Sequence, residues 1–268
     1  MKPPRFPSTG SPQADSWTAL RRYTPARIAL GRSGVSLPTR EVLAFAQAHA
    51  EARDAIHLPI DFDTLDQQLQ SDGWPAALRL HTLAATRHEY LLRPDRGRRL
   101  DVASMALLNA WRTHTAAPTL ALVIGDGLSA LGVQQHAAAL LRAIHDLAPA
   151  GLDLGPPVLV EQARVAVGDE IGQALGARLV AMVIGERPGL SSPDSLGIYL
   201  TYAPGPNCTD AQRNCISNVR PAGQPPLIAA QRLIWLVQEA LRTGITGIGL
   251  KDLSGLALTG DAPGIGPL

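Results

Sequence analysis

Two short apolar runs, residues 119–124 (TLALVI) and 179–184 (LVAMVI), constrain this chain more than any other feature. Neither alternates with polar residues, and both are too short for an ordinary helix. Such runs suit strands buried on both faces of a sheet. Between and after them lie segments with helical spacing, at 128–147, 168–176 and 226–242. Further short strands are expected at 158–162 and 196–202. Strands alternating with helices predict an α/β protein with a mostly parallel sheet covered on both faces. In the last helix Leu227, Ala230, Leu233, Ile234, Val237 and Leu241 share one face, and Gly244 is placed to end it.

The segment before residue 116 reads differently. Residues 21–39 (RRYTPARIALGRSGVSLPT) carry many Arg and few periodic apolar positions, which predicts an extended arm or a plain solvated segment. Thr39 is a candidate N-cap for a helix through Ala46 to Ile56. A second helix is expected at 63–70, a loop at 90–101, and a third helix at 98–114. Pro and Ser crowd the first sixteen residues, which read as disordered.

Composition narrows the function. The net charge is +1 and aromatics are 4% of 268 residues, so neither a basic patch nor a stacking platform for nucleic acid is indicated. No apolar run approaches the ~20 residues that span a bilayer. Cys208 and Cys215 are read as free thiols of a cytosolic protein. The chain contains no G-x-S-x-G, Walker A, H-E-x-x-H or C-x-x-C, and its seven His residues are scattered. No catalytic residues and no metal-ligand set are therefore assigned. A chain that binds while a partner does the chemistry fits this pattern.

The richest stretch runs from Gly185 to Asn218. Glu186 and Arg187 follow an apolar run and should stand at the carboxyl edge of the sheet, where open α/β sheets bind ligands. Glu186 either pairs with an Arg or accepts from a ligand's amides. Cys215, in NCISN, ends the long loop that follows, and by residue type is a small hydrophobe. Val165 follows the strand at 158–162 and offers a ligand its backbone. A rival site is GDGLSA, 125–130, which fits the dinucleotide turn G-x-G-x-x-A after a strand and before a helix. It would make the chain a self-sufficient nicotinamide-dependent oxidoreductase, although Glu161, at the end of the next strand, comes about ten residues too late for the usual spacing of ~20, and Asp146, nearer in spacing, would sit on the helix. A tight turn that merely packs is the plainer reading.

Six segments, TPARIALGRSG (24–34), YLLRPDRGRRL (90–100), IGDGLSA (124–130), ARVAVGDEIGQALGARLV (163–180), GERPGLSSPDSLGIYLTY (185–202) and NCISNVRPAG (214–223), resemble the small subunits of ethanolamine ammonia-lyases. The resemblance implies a Rossmann-like sheet with an N-terminal helical subdomain and an extended arm. Together with the tail, arm and helices read above, it divides the chain into a disordered tail (1–20), arm and helical subdomain (21–115), cobalamin-binding domain (116–255) and C-terminal tail (256–268). It implies adenosylcobalamin as cofactor, held against a large catalytic subunit, for the radical conversion of ethanolamine to acetaldehyde and ammonia. It places the cofactor contacts on Val165, Glu186 and Cys215. No D-x-H-x-x-G occurs, so the cofactor's own base would stay on cobalt. A cytoplasmic setting is implied, with a bacterial microcompartment as a further one.

Overall fold

A computed structural model describes residues 15–255. The tail expectations for residues 1–14 and 256–268 lie outside the described residues. Six strands form one sheet: β1 (Leu78–His81), β2 (Leu120–Gly125), β3 (Val158–Glu161), β4 (Leu179–Gly185), β5 (Leu196–Tyr202) and β6 (Arg213–Val219), in the order β1-β3-β2-β4-β5-β6. The first three pairings in that order are parallel. The last two are antiparallel. The sheet is thus parallel on one side of β4 and antiparallel on the other.

Among the described residues seven α-helices accompany the sheet: α1 (Thr39–His57), α2 (Phe62–Ser71), α3 (Arg87–Leu92), α4 (Val102–His114), α5 (Ala130–Leu147), α6 (Val167–Leu175) and α7 (Pro226–Thr243). Every residue of β2 and β4 is buried, and their side chains point alternately to two cores. Leu120, Leu122 and Ile124 pack with α2, α5 and α7. Ala121 and Val123 pack with α4 and α6. Both faces of the central strands are therefore dry, which is why these runs carry no polar alternation.

The chain steps from β2 through α5 to β3 on one side. It then crosses back through α6 to β4 on the other side of β2. Connections leave in opposite directions here, and the crevice this opens at the strands' carboxyl ends is the default ligand position in such sheets.

Several local expectations are corrected. Thr39 is the first helical residue of α1 and makes no cap bond; Pro38 precedes it. Residues 90–92 lie in α3, not in a loop. The next helix starts at Val102 rather than near 98, because Asp101 caps it by accepting from the Ser104 amide at 2.7 Å. β1 arises inside the stretch read as helical and joins the sheet edge. Cys215 stands within β6, not at the end of a loop. Leu227 is exposed, whereas Ala230, Leu233, Ile234 and Val237 are buried as expected. Gly176 and Gly244 end α6 and α7 with φ of 67° and 74°. The stretch after the 3-10 turn at Thr18–Tyr23 runs to Pro38 without helix or paired strand of the sheet.

Candidate functional site

The GDGLSA turn is organised by Asp126, which is buried at the end of β2. Its Oδ1 accepts from the amides of Gly127 and Ala163, each at 2.9 Å. One carboxylate thereby ties the ends of β2 and β3 together. Its Oδ2 accepts from Arg87 Nη1 at 3.2 Å. The same guanidinium donates to Gly127 O at 2.8 Å, Leu128 O at 3.3 Å and Ile56 O at 2.7 Å. Gly127 has φ +61° and lies so close to β4 that a Cβ would meet the Gly185 carbonyl. Ser129 caps α5 and donates to Pro193 O at 2.6 Å. The Asp126 carboxylate, the Gly127 and Leu128 amides and the Ser129 hydroxyl are all occupied by internal contacts, which favours the plain packing reading over a dinucleotide site.

Burial pushes the Asp126 carboxyl up to about 6, against the pull of the Ala163 amide and Arg87. A folded-state value above the ordinary 3.8 means the folded chain binds the proton more tightly than the unfolded one. This contribution to stability is full below pH 4 and is lost as pH rises through about 6. Relative to Asp126→Asn, the wild-type chain should lose about 1–3 kcal/mol between pH 4 and 7. Thermal unfolding across that range checks this; a difference that does not change with pH would refute it.

Val165 follows β3 in the loop into α6 and is half-buried. Glu186 follows β4, donates its amide to Ser195 O at 3.0 Å, and is also half-buried. It makes no ion pair among the described residues. Its carboxylate oxygens instead accept from the Asn218 amide at 3.2 and 3.1 Å, leaving acceptor capacity toward solvent. Cys215 is exposed on β6 and lies opposite Tyr199 in the register. Burial of the sulfur pushes the thiol above its ordinary value, the Tyr199 hydroxyl opposes this, and Glu186 adds to it. At neutral pH the group is a thiol, not a thiolate. Both cysteines are free.

These three residues come together. Val165, Glu186, Arg187 and Tyr199 line one hollow at the carboxyl edge. Val165, Tyr199, Cys215 and Thr209 line a second that adjoins it. Val165 and Tyr199 are common to both. The result is one open surface with a carboxylate at one end and a thiol at the other. Tyr199 was not singled out from sequence; the signal for it is its place beside Gly197 in GIYLTY, where a Cβ would touch both Tyr199 and Glu186. Arg87 and Tyr90 were missed too. Two guanidiniums, Arg87 and Arg164, lie over the Tyr90 ring at 4.6 and 4.1 Å from its centroid. Tyr90 donates its hydroxyl to Ala163 O at 3.0 Å. This buried tyrosine thus supports the loop that carries Val165. Gln162 and Asn218, which flank the surface, hold φ of 56° each. Left-handed backbone at a non-glycine residue persists where surrounding structure enforces it.

The model of the family described as Ethanolamine ammonia-lyase light chain (EutC) matches residues 14–251. The chain belongs to this family. Among ethanolamine ammonia-lyase small subunits, that of Ralstonia nicotianae is 55% identical over 244 residues, covering 90% of each chain. That of Pseudomonas aeruginosa is 54% identical over 256 residues, covering 93% of this chain and 92% of the relative. That of Azotobacter vinelandii is 52% identical over 265 residues, with 98% and 96% covered. This ethanolamine ammonia-lyase light chain is thus the small subunit of an ammonia-lyase, and a small subunit implies a large one. No group of three or more His, Cys, Asp or Glu that could hold a metal occurs among the described residues. No helix among them is long and apolar enough to cross a membrane.

Proposed function

We propose that this light chain holds adenosylcobalamin against the large subunit through the surface spanned by Val165, Glu186 and Cys215. The observation that carries this reading is their convergence around Tyr199 at the crevice beside β2. The donor set suits the group. A corrin presents a flat apolar body rimmed by amide side chains, and such a ligand needs apolar contact at the centre with acceptors and donors at the rim. Val165 and Tyr199 offer apolar contact. Glu186 offers an anionic acceptor for amide N–H groups. The Val165 amide, which donates to no other group among the described residues, offers a donor. Two buried polar atoms without partners, Gln162 Oε1 and Arg164 Nε, flank Val165.

When bound, the cofactor supplies the radical chemistry that converts ethanolamine to acetaldehyde and ammonia. The light chain's residues bind and orient. Glu186 fixes one edge, and the Cys215 thiol stays protonated and contributes soft contact. No His lines either hollow, so nothing here would compete for cobalt. The sheet with its reversed crossover is read as a Rossmann-like cobalamin-binding domain at 116–255, preceded by arm and helical subdomain at 21–115. Exposed Tyr23, Leu37, Val42, Leu43 and Phe45 make arm and α1 the surface we assign to the large subunit. The setting proposed is cytoplasmic, with a bacterial microcompartment as a further one.

Reconstitution tests the reading. Ethanolamine deamination should require this chain, the large subunit and adenosylcobalamin together. Full activity from the large subunit and cofactor without this chain would overturn it.

A further inference from the structure

We propose that the hollow between Arg98, Arg164 and the start of α6 is an anion subsite that takes the phosphodiester of the cofactor's nucleotide loop. The inference rests on the cobalamin reading above and extends it to a second chemical group of the same ligand. The corrin's rim amides are neutral. The nucleotide loop carries a phosphodiester, a permanent negative charge, and that charge calls for cations and amide donors.

The segment RPDRGRR, 93–99, supplies one wall. Three of its four arginines are neutralised: Arg93 pairs with Asp95 at 2.7 Å, Arg96 with Glu89 at 2.5 Å and Arg99 with Glu170 at 3.3 Å. The Arg98 side chain has no hydrogen bond or ion pair among the described residues, and it lines the hollow that also holds Val165 and Cys215. Its place is built. Gly97 accepts from the Arg164 amide at 2.7 Å, and a Cβ on Gly97 would lie 2.9 Å from Arg164 Cγ and from Gln162 O. Only this close approach sets Arg98 beside the loop leading into α6. Arg164 is fixed by Tyr90, through the ring and through Nη2 to Tyr90 O at 3.2 Å. Its Nη1 makes no hydrogen bond among the described residues.

Backbone adds to this. The amides of Val165 and Ala166 donate to nothing among the described residues and stand at the N-terminal end of α6, where helix amides attract anions. The acids nearby stand beside arginines, although Asp210 itself lines the hollow and is exposed, so the positive charge of the lining comes from Arg98 and Arg164. Asp169 and Asp210 both pair with Arg213, and Glu170 pairs with Arg99. The hollow is therefore positive, and a planar arginine fork is matched to phosphate oxygens.

The test compares three probes on the complex of both subunits, by equilibrium dialysis. Cobalamin has phosphate and base; cobinamide phosphate has phosphate without the base; cobinamide has neither. Arg98→Ala should weaken cobalamin and cobinamide phosphate roughly tenfold and leave cobinamide unchanged. Arg98→Lys should recover part of the loss. Unfolding temperature should not move, since Arg98 has no internal partner to lose. Equal loss for all three probes would overturn the subsite, as would loss for cobalamin alone, which would mean a contact with the base. Weakened subunit assembly without cofactor would also overturn it, by assigning Arg98 to a partner's carboxylate. If the wild-type complex retains none of the probes, the cobalamin reading itself fails.

Discussion

Replacing Asp169 with Ala is expected to destabilise the folded chain by about 3–5 kcal/mol, because it leaves a buried guanidinium without its counter-charge. The Arg213 side chain is 3% exposed and that of Asp169 is 6% exposed. The pair is bidentate, with Nη1 to Oδ1 at 2.5 Å and Nη2 to Oδ2 at 2.7 Å. Thr201 Oγ1 accepts from Nη1 at 3.1 Å but carries no charge. Asp210 lies 3.3 Å from Nε, yet its side chain is 98% exposed, so solvent screens it. It cannot stand in for Asp169. Replacing both partners with apolar residues, Asp169→Leu with Arg213→Met, should recover most of the loss, since no unpaired charge remains. Urea unfolding of the three variants measures this. A single Ala variant within about 1 kcal/mol of wild type would show that the pair does not hold α6 to β6. The consequence reaches the site, because α6 carries the Val165 loop at its start.

Replacing Glu186 with Ala is expected to weaken adenosylcobalamin binding to the complex by roughly 10- to 100-fold, the range for losing a charged hydrogen-bond acceptor. A structural objection is that Glu186 also holds the Asn218 amide. Asn218 is exposed, so water can replace that bond at small cost. Glu186→Gln separates the roles: it keeps an acceptor for Asn218 but lacks the charge. If binding falls with Gln nearly as with Ala, the charge acts on the cofactor. If Gln binds as wild type, the charge is dispensable and a neutral acceptor suffices. Unaltered affinity in both variants would remove Glu186 from the cofactor surface.

How far the chain could be read beforehand depends on where each segment lies in the sheet. β2 and β4 were legible because both faces are buried, so every position is apolar. β1 and β6 were not, because they are the sheet's edges. LRLH mixes Arg and His with Leu. In β6 only Arg213, Ile216 and Val219 are buried, and the register shift opposite Leu196 and Ile198 breaks the alternation. A two-residue period cannot be seen through a bulge. Val165 and Glu186 were legible as sequels to apolar runs. The supports were not, since Tyr90 reaches Ala163 across 73 positions and Arg87 reaches Leu128 across 41. Contacts of that kind exist only after the layers close. That Glu186 forms no ion pair among the described residues, and holds the Asn218 amide instead, also escaped the sequence, which offered Arg187 next door as a partner.

Arg87 admits few exchanges. Its four donor contacts reach one carboxylate and three carbonyls, belonging to α1, the β2 turn and the entry to α5. Lysine has a similar length and the same charge, but its ammonium is a single point and cannot face acceptors spread across a plane. An exchange that most scoring schemes treat as mild would therefore loosen three elements at once. The constraint on this position comes from the chain's own contacts.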